Sequence, residues 1–321
     1  VSITVRKITV HFKLFKKMLE EWAQEIKPVF IVGPERSGTS LLFQQVSNHP
    51  DFCDFAEATV ETFCFVNPWK ILEPSGPWNY EMRLYLGQSN VEELHASLAE
   101  LIQANKNADA EELPKEFLYK ANADEIWQKR DYSTLLRAFF YYSWNHLGKK
   151  RLVEKTPAHI RCTKQIFEAF PNAKILVCLR EPGEIIASHK KRYQKEVSLG
   201  VPADSDDLAW LRHPTEFYLN YFKEIDGIVS ALKANRGDAV KVVSYRHLTH
   251  FPNRELKAIF DFIGCDYIDI ESAHIERVDQ AWDPLLSKLP QPNEIDIKSY
   301  LSADEIKLVA EKAKLLEHDW K

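Results

Sequence analysis

The stretch that most limits what this chain can fold into is "FIVGPERSGTSLLFQQVSNHP", residues 30–50. An apolar run ends at Gly33, a polar loop follows up to Gly38, and an apolar-periodic segment begins directly behind it. A strand, a glycine-bounded loop and a helix in that order build an anion cradle from backbone amides at a helix N-terminus. The rest of the chain continues the alternation. Strands are expected at 29–32, 151–154, 173–180 and 240–245, and helices at 12–26, 40–48, 91–105, 132–147, 182–195 and 215–234. Thr156 and Pro157 are read as the cap and first turn of a helix running to Phe170, and Asn253 as the cap of a helix ending at Gly264. "AKILVCLR" is apolar throughout, as strands buried on both faces are. The expected fold is therefore α/β, a P-loop-like central parallel sheet flanked by helices. Residues 1–321 are read as one domain, with a helical and aromatic insertion over roughly 60–150.

Ligands of such sheets bind at the carboxyl ends of the strands. That rule collects the loop after Val32, "EKTP" after Val153, "REP" after Leu179, and Tyr245. Gly33 and Gly38 have the spacing of a Walker A loop, but Thr39 stands where the lysine that reaches the β- and γ-phosphates would be. The cation of the loop is Arg36. Ser37, Gly38, Thr39 and Ser40 offer amides and hydroxyls to one anion, while Arg180 and Ser188 offer a guanidinium and a hydroxyl to a second. Two anion sites without the triphosphate lysine point to a nucleotide carrying anions on both its 5′ and 3′ sides.

The net charge of −5 and pI near 6.2 give no surplus of cations for a nucleic-acid backbone. The five cysteines show no C-x-x-C spacing, so neither a zinc ribbon nor a disulfide framework is expected. No run of 18 apolar residues is present, and a cytoplasmic placement is expected, with an upstream anchor or signal segment left open.

In order and spacing these segments resemble sulfotransferases that use 3′-phosphoadenosine 5′-phosphosulfate (PAPS). "RSGTSLL" resembles the family's 5′-phosphosulfate loop, "LREPGEIIAS" its 3′-phosphate motif, and "SYRHLTHFPNRELKAIFDFIG" the segment whose tyrosine, here Tyr245, lies against the nucleotide. The chain is most similar to the branch of bacterial, glycan and protein-tyrosine enzymes. "HPDFCDFAE" resembles the stretch that ends in the tyrosine enzymes' catalytic glutamate, here Glu57, twenty residues after Ser37. "EKTPAH" implies a catalytic Lys155, and "LLSKLP" a cofactor-binding pair at Ser287 and Lys288. Glu35 departs from the pattern by bringing a negative charge next to Arg36, so its carboxylate is expected to be directed elsewhere.

The resemblance implies sulfuryl transfer to an acceptor hydroxyl on a glycan, a small molecule or a carrier-bound acyl group, with the insertion over roughly 60–150 shaping the acceptor pocket. Glu57 or His159 is the base, and Arg36 and Lys155 supply positive charge at the reacting atoms. No metal is expected, because no strand ends in the aspartate that would hold magnesium. Other readings are a P-loop small-molecule kinase and a non-catalytic module that binds adenosine bisphosphate. Taken singly the residues have plainer roles: Arg180 could pair with Glu181, Lys155 with Glu154, and His159 could be a core histidine.

Overall fold

The computed structural model describes residues 2–52, 61–66, 132–146, 148, 150–269, 290–293 and 295–320, without the side chains of 2–12, 142 and 146. In chain order the helices and strands are α1 (Ser2–Glu25), β1 (Val29–Val32), α2 (Thr39–Ser47), α3 (Tyr132–His146), β2 (Val153–Lys155), α4 (Thr163–Ala169) and β3 (Lys174–Leu179). They continue as α5 (Pro182–Ser198), α6 (Thr215–Arg236), β4 (Val240–Ser244), α7 (Tyr245–His250), α8 (Pro252–Ile263) and α9 (Ala303–Ala313). The strands form a parallel sheet in the order β2-β1-β3-β4, as the alternation of apolar runs and helices predicts. The chain falls into two compact units, Val1–Phe30 with Val46–Lys174, and Ile31–Gln45 with Ile175–Lys321. Most of the expected insertion over 60–150, including a helix expected at 91–105, lies outside the described residues.

The first unit is built on aromatic side chains. Phe30 is fully buried and meets Phe65, Phe140 and Phe170 at centroid distances of 5.6, 5.7 and 6.1 Å. Trp22 of α1 adds edge contacts to Tyr141 of α3 and to Phe170. Such rings supply large apolar areas and prefer these offset or edge geometries. Arg137 of α3 donates to the carbonyls of Ala169 and Glu168 at 3.0 and 2.9 Å, which satisfies carbonyls that the end of α4 leaves open. β2 starts two residues later than expected, and Arg151 instead makes an isolated parallel bridge with Phe52.

Thr156 stands before the next helical segment but makes no side-chain cap, so the expected single helix is a 3₁₀ segment (Pro157–Cys162) followed by α4. The Thr156 hydroxyl is drawn instead to the Glu154 carboxylate at 2.6 Å.

In the second unit β3 and β4 pair in register from Ile175 opposite Val240 to Leu179 opposite Ser244. Ser244 ends the strand and caps α7 by accepting the His247 N–H at 3.3 Å, so Tyr245 opens a helix instead of closing the strand. Asn253 is not the cap of α8. Pro252 takes the first helical position, where its missing N–H costs nothing, and Phe251 is left at the cap. The helix ends as expected at Gly264, whose φ of +72° suits glycine. Asp226 of α6 is a structural anchor: it accepts from the Glu317 and His318 amides, the His318 ring and the Trp320 indole.

Candidate active site

In the second unit the loop between β1 and α2 is held in a strained, specific shape. Arg36 has φ +69° and Gly38 φ +100°. Left-handed backbone is uncommon for an arginine, and it turns successive amides toward one side as anion-binding nests do. A Cβ on Gly38 would lie 2.3 Å from Cδ2 of Tyr245, and one on Gly33 would lie 2.4 Å from the Cys178 carbonyl oxygen. Both positions therefore need glycine for closeness as well as for φ. Below the loop, burial pushes the Cys178 thiol up to about 12, and as a neutral S–H it donates to the Ser37 carbonyl at 3.2 Å.

Ser37 is fully buried, yet its hydroxyl has no hydrogen-bond partner among the described residues. Thr39 and Ser40 open α2, where helix geometry leaves the first amides without intrahelical acceptors. An orphaned hydroxyl and open amides around a glycine that touches an aromatic ring fit an anionic group with a ring attached. Glu35, the one acidic residue of the loop, is engaged by the Tyr221 hydroxyl at 3.0 Å. Next to the loop, burial and then the Arg36 charge lower the His189 imidazole to about 3, so this ring is neutral at physiological pH.

Arg180, one residue beyond β3, is almost buried and tightly held. Its Nε donates to Glu184 at 2.7 Å, Nη2 donates to the Asn293 carbonyl at 3.2 Å, and Cζ lies 4.3 Å from the Tyr245 ring centre. Glu181, the partner read from the sequence, instead caps α5 by accepting the Glu184 N–H at 2.7 Å. The Ser188 hydroxyl accepts from Arg36 Nε at 3.2 Å. Tyr245 is hydrogen-bonded by the Asn293 side chain; its burial outweighs the Arg180 charge and raises the phenol above its ordinary range.

In the first unit a second cluster surrounds the end of β2. Lys155 Nζ meets Glu61 at 2.7 Å, with the lysine side chain 3% exposed and the glutamate 28%. Lys155 thus pairs with Glu61 and not with Glu154. Glu154 is buried and accepts from the hydroxyls of Thr62 and Thr156 at 2.7 and 2.6 Å, with His159 Nδ1 at 2.9 Å from its other oxygen. Burial alone would push this carboxyl up, but the His159 ring and the two hydroxyls hold it below the usual carboxylate range.

His159 is fully buried, and its Nε2 accepts the Phe65 N–H at 3.2 Å. An acceptor at Nε2 puts the ring proton on Nδ1, facing Glu154. Both ring nitrogens are therefore engaged in holding the segment 61–66, where Phe63 takes φ +50° and donates its N–H to Thr156. Glu57, Ser287 and Lys288 lie outside the described residues.

These features define an α/β protein with a lysine-less, glycine-bounded loop between β1 and α2 and an arginine just beyond β3. The chain belongs to the Sulfotransferase family, whose model matches residues 28–269. It is 25% identical over 261 residues to nodulation protein NoeE of Sinorhizobium fredii, covering 78% of this chain and 53% of that protein. It thus spans about half the length of that curated relative. Among solved structures, sulfotransferase STF9 of Mycobacterium avium matches with a TM-score of 0.49 at 14% identity, over 92% of this chain and 78% of that one. The sulfotransferase domain of the Synechococcus PCC 7002 olefin synthase matches with a TM-score of 0.44 at 18% identity, over 90% and 96%.

Proposed function

We propose that this chain is a PAPS-dependent sulfotransferase acting on an acceptor hydroxyl. The observation that carries the reading is the loop of residues 33–40. It holds two glycines, Gly33 and Gly38, contains a buried hydroxyl without a partner among the described residues, and has threonine where a triphosphate-binding loop has lysine. The Arg36 charge, the Ser37 hydroxyl and the amides of Gly38, Thr39 and Ser40 would hold the 5′-phosphosulfate. Arg180 and Ser188 would hold the 3′-phosphate, Tyr245 the nucleotide ring, and Lys288 would add a further cation. When bound, PAPS supplies an activated sulfuryl group, and adenosine 3′,5′-bisphosphate is what remains after transfer.

The protein's own part is charge placement and one proton. Glu57 takes the acceptor hydroxyl's proton on its carboxylate, which raises the nucleophilicity of that oxygen. His159 is the poorer choice of base, because both of its nitrogens are occupied in a buried network. The Lys155 ammonium and the Arg36 guanidinium offset negative charge as it develops, the logic that serves phosphoryl transfer. The acceptor is a hydroxyl-bearing glycan, small molecule or carrier-bound acyl group.

The test is calorimetry with adenosine 3′,5′-bisphosphate and adenosine 5′-monophosphate, followed by labelled PAPS with a panel of those acceptor classes. Tighter binding of the bisphosphate and transfer of label are expected. Equal affinity for the two nucleotides would remove the 3′-phosphate site and with it the cofactor assignment.

A further inference from the structure

The surroundings of Arg180 contain one group that the proposed reaction does not use. Glu184 takes the Nε–H and the Asn293 carbonyl takes a hydrogen of Nη2, so the side edge of the guanidinium is occupied, while Tyr245 lies against it. Among the described residues, the end of the fork, Nη1 and the second Nη2 hydrogen, is the edge left for an anion. The Glu184 side chain is 28% exposed against 6% for Arg180, so the carboxylate lies on the water side of the pair. Its position is fixed from behind, since the Glu184 N–H is itself held by Glu181.

We propose that Glu184 is a built-in counter-ion of Arg180 that aims the guanidinium and limits how tightly a 3′-phosphate is held. The consequence is faster release of the bisphosphate product. The inference rests on the proposed function, in particular on Arg180 meeting the 3′-phosphate. Its physical basis is simple. A carboxylate and a phosphate on two edges of one guanidinium are on the order of 6–7 Å apart, and at that range like charges repel enough to change affinity roughly tenfold after screening.

Glu184→Gln keeps the shape and an acceptor oxygen for Nε while removing the charge, and Glu184→Asp keeps the charge. By calorimetry, Glu184→Gln is expected to bind adenosine 3′,5′-bisphosphate roughly tenfold more tightly than the parent, with adenosine 5′-monophosphate within about twofold. Glu184→Asp is expected to keep the parent's ratio of the two affinities. An unchanged or weakened bisphosphate affinity in Glu184→Gln overturns the counter-ion role. So does equal tightening of both nucleotides, or an Asp variant that behaves like the Gln variant. Failure of the underlying function looks different, because the parent protein itself would then bind both nucleotides alike.

Discussion

Replacing Glu154 by glutamine tests the buried network at the end of β2, because the change is nearly isosteric and has no comfortable solution. The glutamate accepts from two threonine hydroxyls on one oxygen and faces the His159 Nδ1 proton with the other. If the amide oxygen faces the threonines, the amide N–H₂ confronts Nδ1–H. Moving the ring proton to Nε2 only transfers the conflict to the Phe65 N–H, which now donates there. If the amide is flipped, both threonine hydroxyls lose their acceptor. One buried donor without an acceptor costs about 1–3 kcal/mol, and turning two charge-assisted bonds into neutral ones adds about 1 kcal/mol. The expected loss is about 2–4 kcal/mol of stability, measured by urea unfolding. Hydrogen exchange should localise it, with the amides of Phe63, Cys64 and Phe65 losing protection first. A variant within about 0.5 kcal/mol of the parent, with unchanged exchange at those amides, would refute the donor accounting and the Nδ1–H tautomer it assumes.

Other parts of the molecule give further expected outcomes. Lys155→Ala should lower turnover far more than bisphosphate affinity, and Glu57→Gln should cost roughly 10²-fold in turnover with affinity nearly intact; loss of binding without a separate rate effect would make Lys155 a binding residue. Gly38→Ala places a methyl 2.3 Å from the Tyr245 ring at φ +100°, so bisphosphate binding should fall at least roughly tenfold while circular dichroism stays native. Near-parental binding would show that the contact between loop and tyrosine does not shape the site. Burial raises the Glu305 carboxyl, but Lys190, Thr215 and the Ser302 N–H bring it down to about 2, so its contribution is present above the ordinary carboxylate range and lost as pH falls toward about 2. An amide-exchange series from pH 5 to pH 2 should show α9 loosening only in that window, and loosening already at about pH 5 would contradict it.

Much of the framework was readable because it depends on local pattern. Val29 to Val32 and Ile175 to Leu179 are continuous apolar runs, and both are buried. Gly33 and Gly38 bracket the loop where backbone approach leaves no room for a Cβ. The partners of the charged groups were less legible because they come from distant segments. Glu61 reaches Lys155 across 94 positions, Asn293 reaches Arg180 across 113, and Tyr221 reaches Glu35 across 186. Glu184 was within reach of a sequence argument as the i,i+4 neighbour of Arg180. The adjacent Glu181 is the nearer carboxylate in sequence, but its position just before α5 lets it accept the Glu184 N–H instead. His159 reads as an alternative base from its nearness to Lys155, whereas its contacts to the Phe65 N–H and to Glu154 come from packing that the local sequence does not encode. Glu57 was legible through resemblance alone, as nothing in its own stretch distinguishes it from a solvated carboxylate.

The hydrogen bond from Arg36 to Ser188 joins the loop behind β1 to the second turn of α5, 152 positions away. A side chain shared between the two segments proposed to bind the cofactor's anions makes them one thermodynamic object. Fragments that each fill one end, such as pyrophosphate at the loop or a 3′-nucleotide at the helix, would compete for the conformation of the same guanidinium, so their separate affinities need not sum. A search for inhibitors that begins with fragments would therefore do better with a linked pair that leaves this bond in place than with either piece optimised alone.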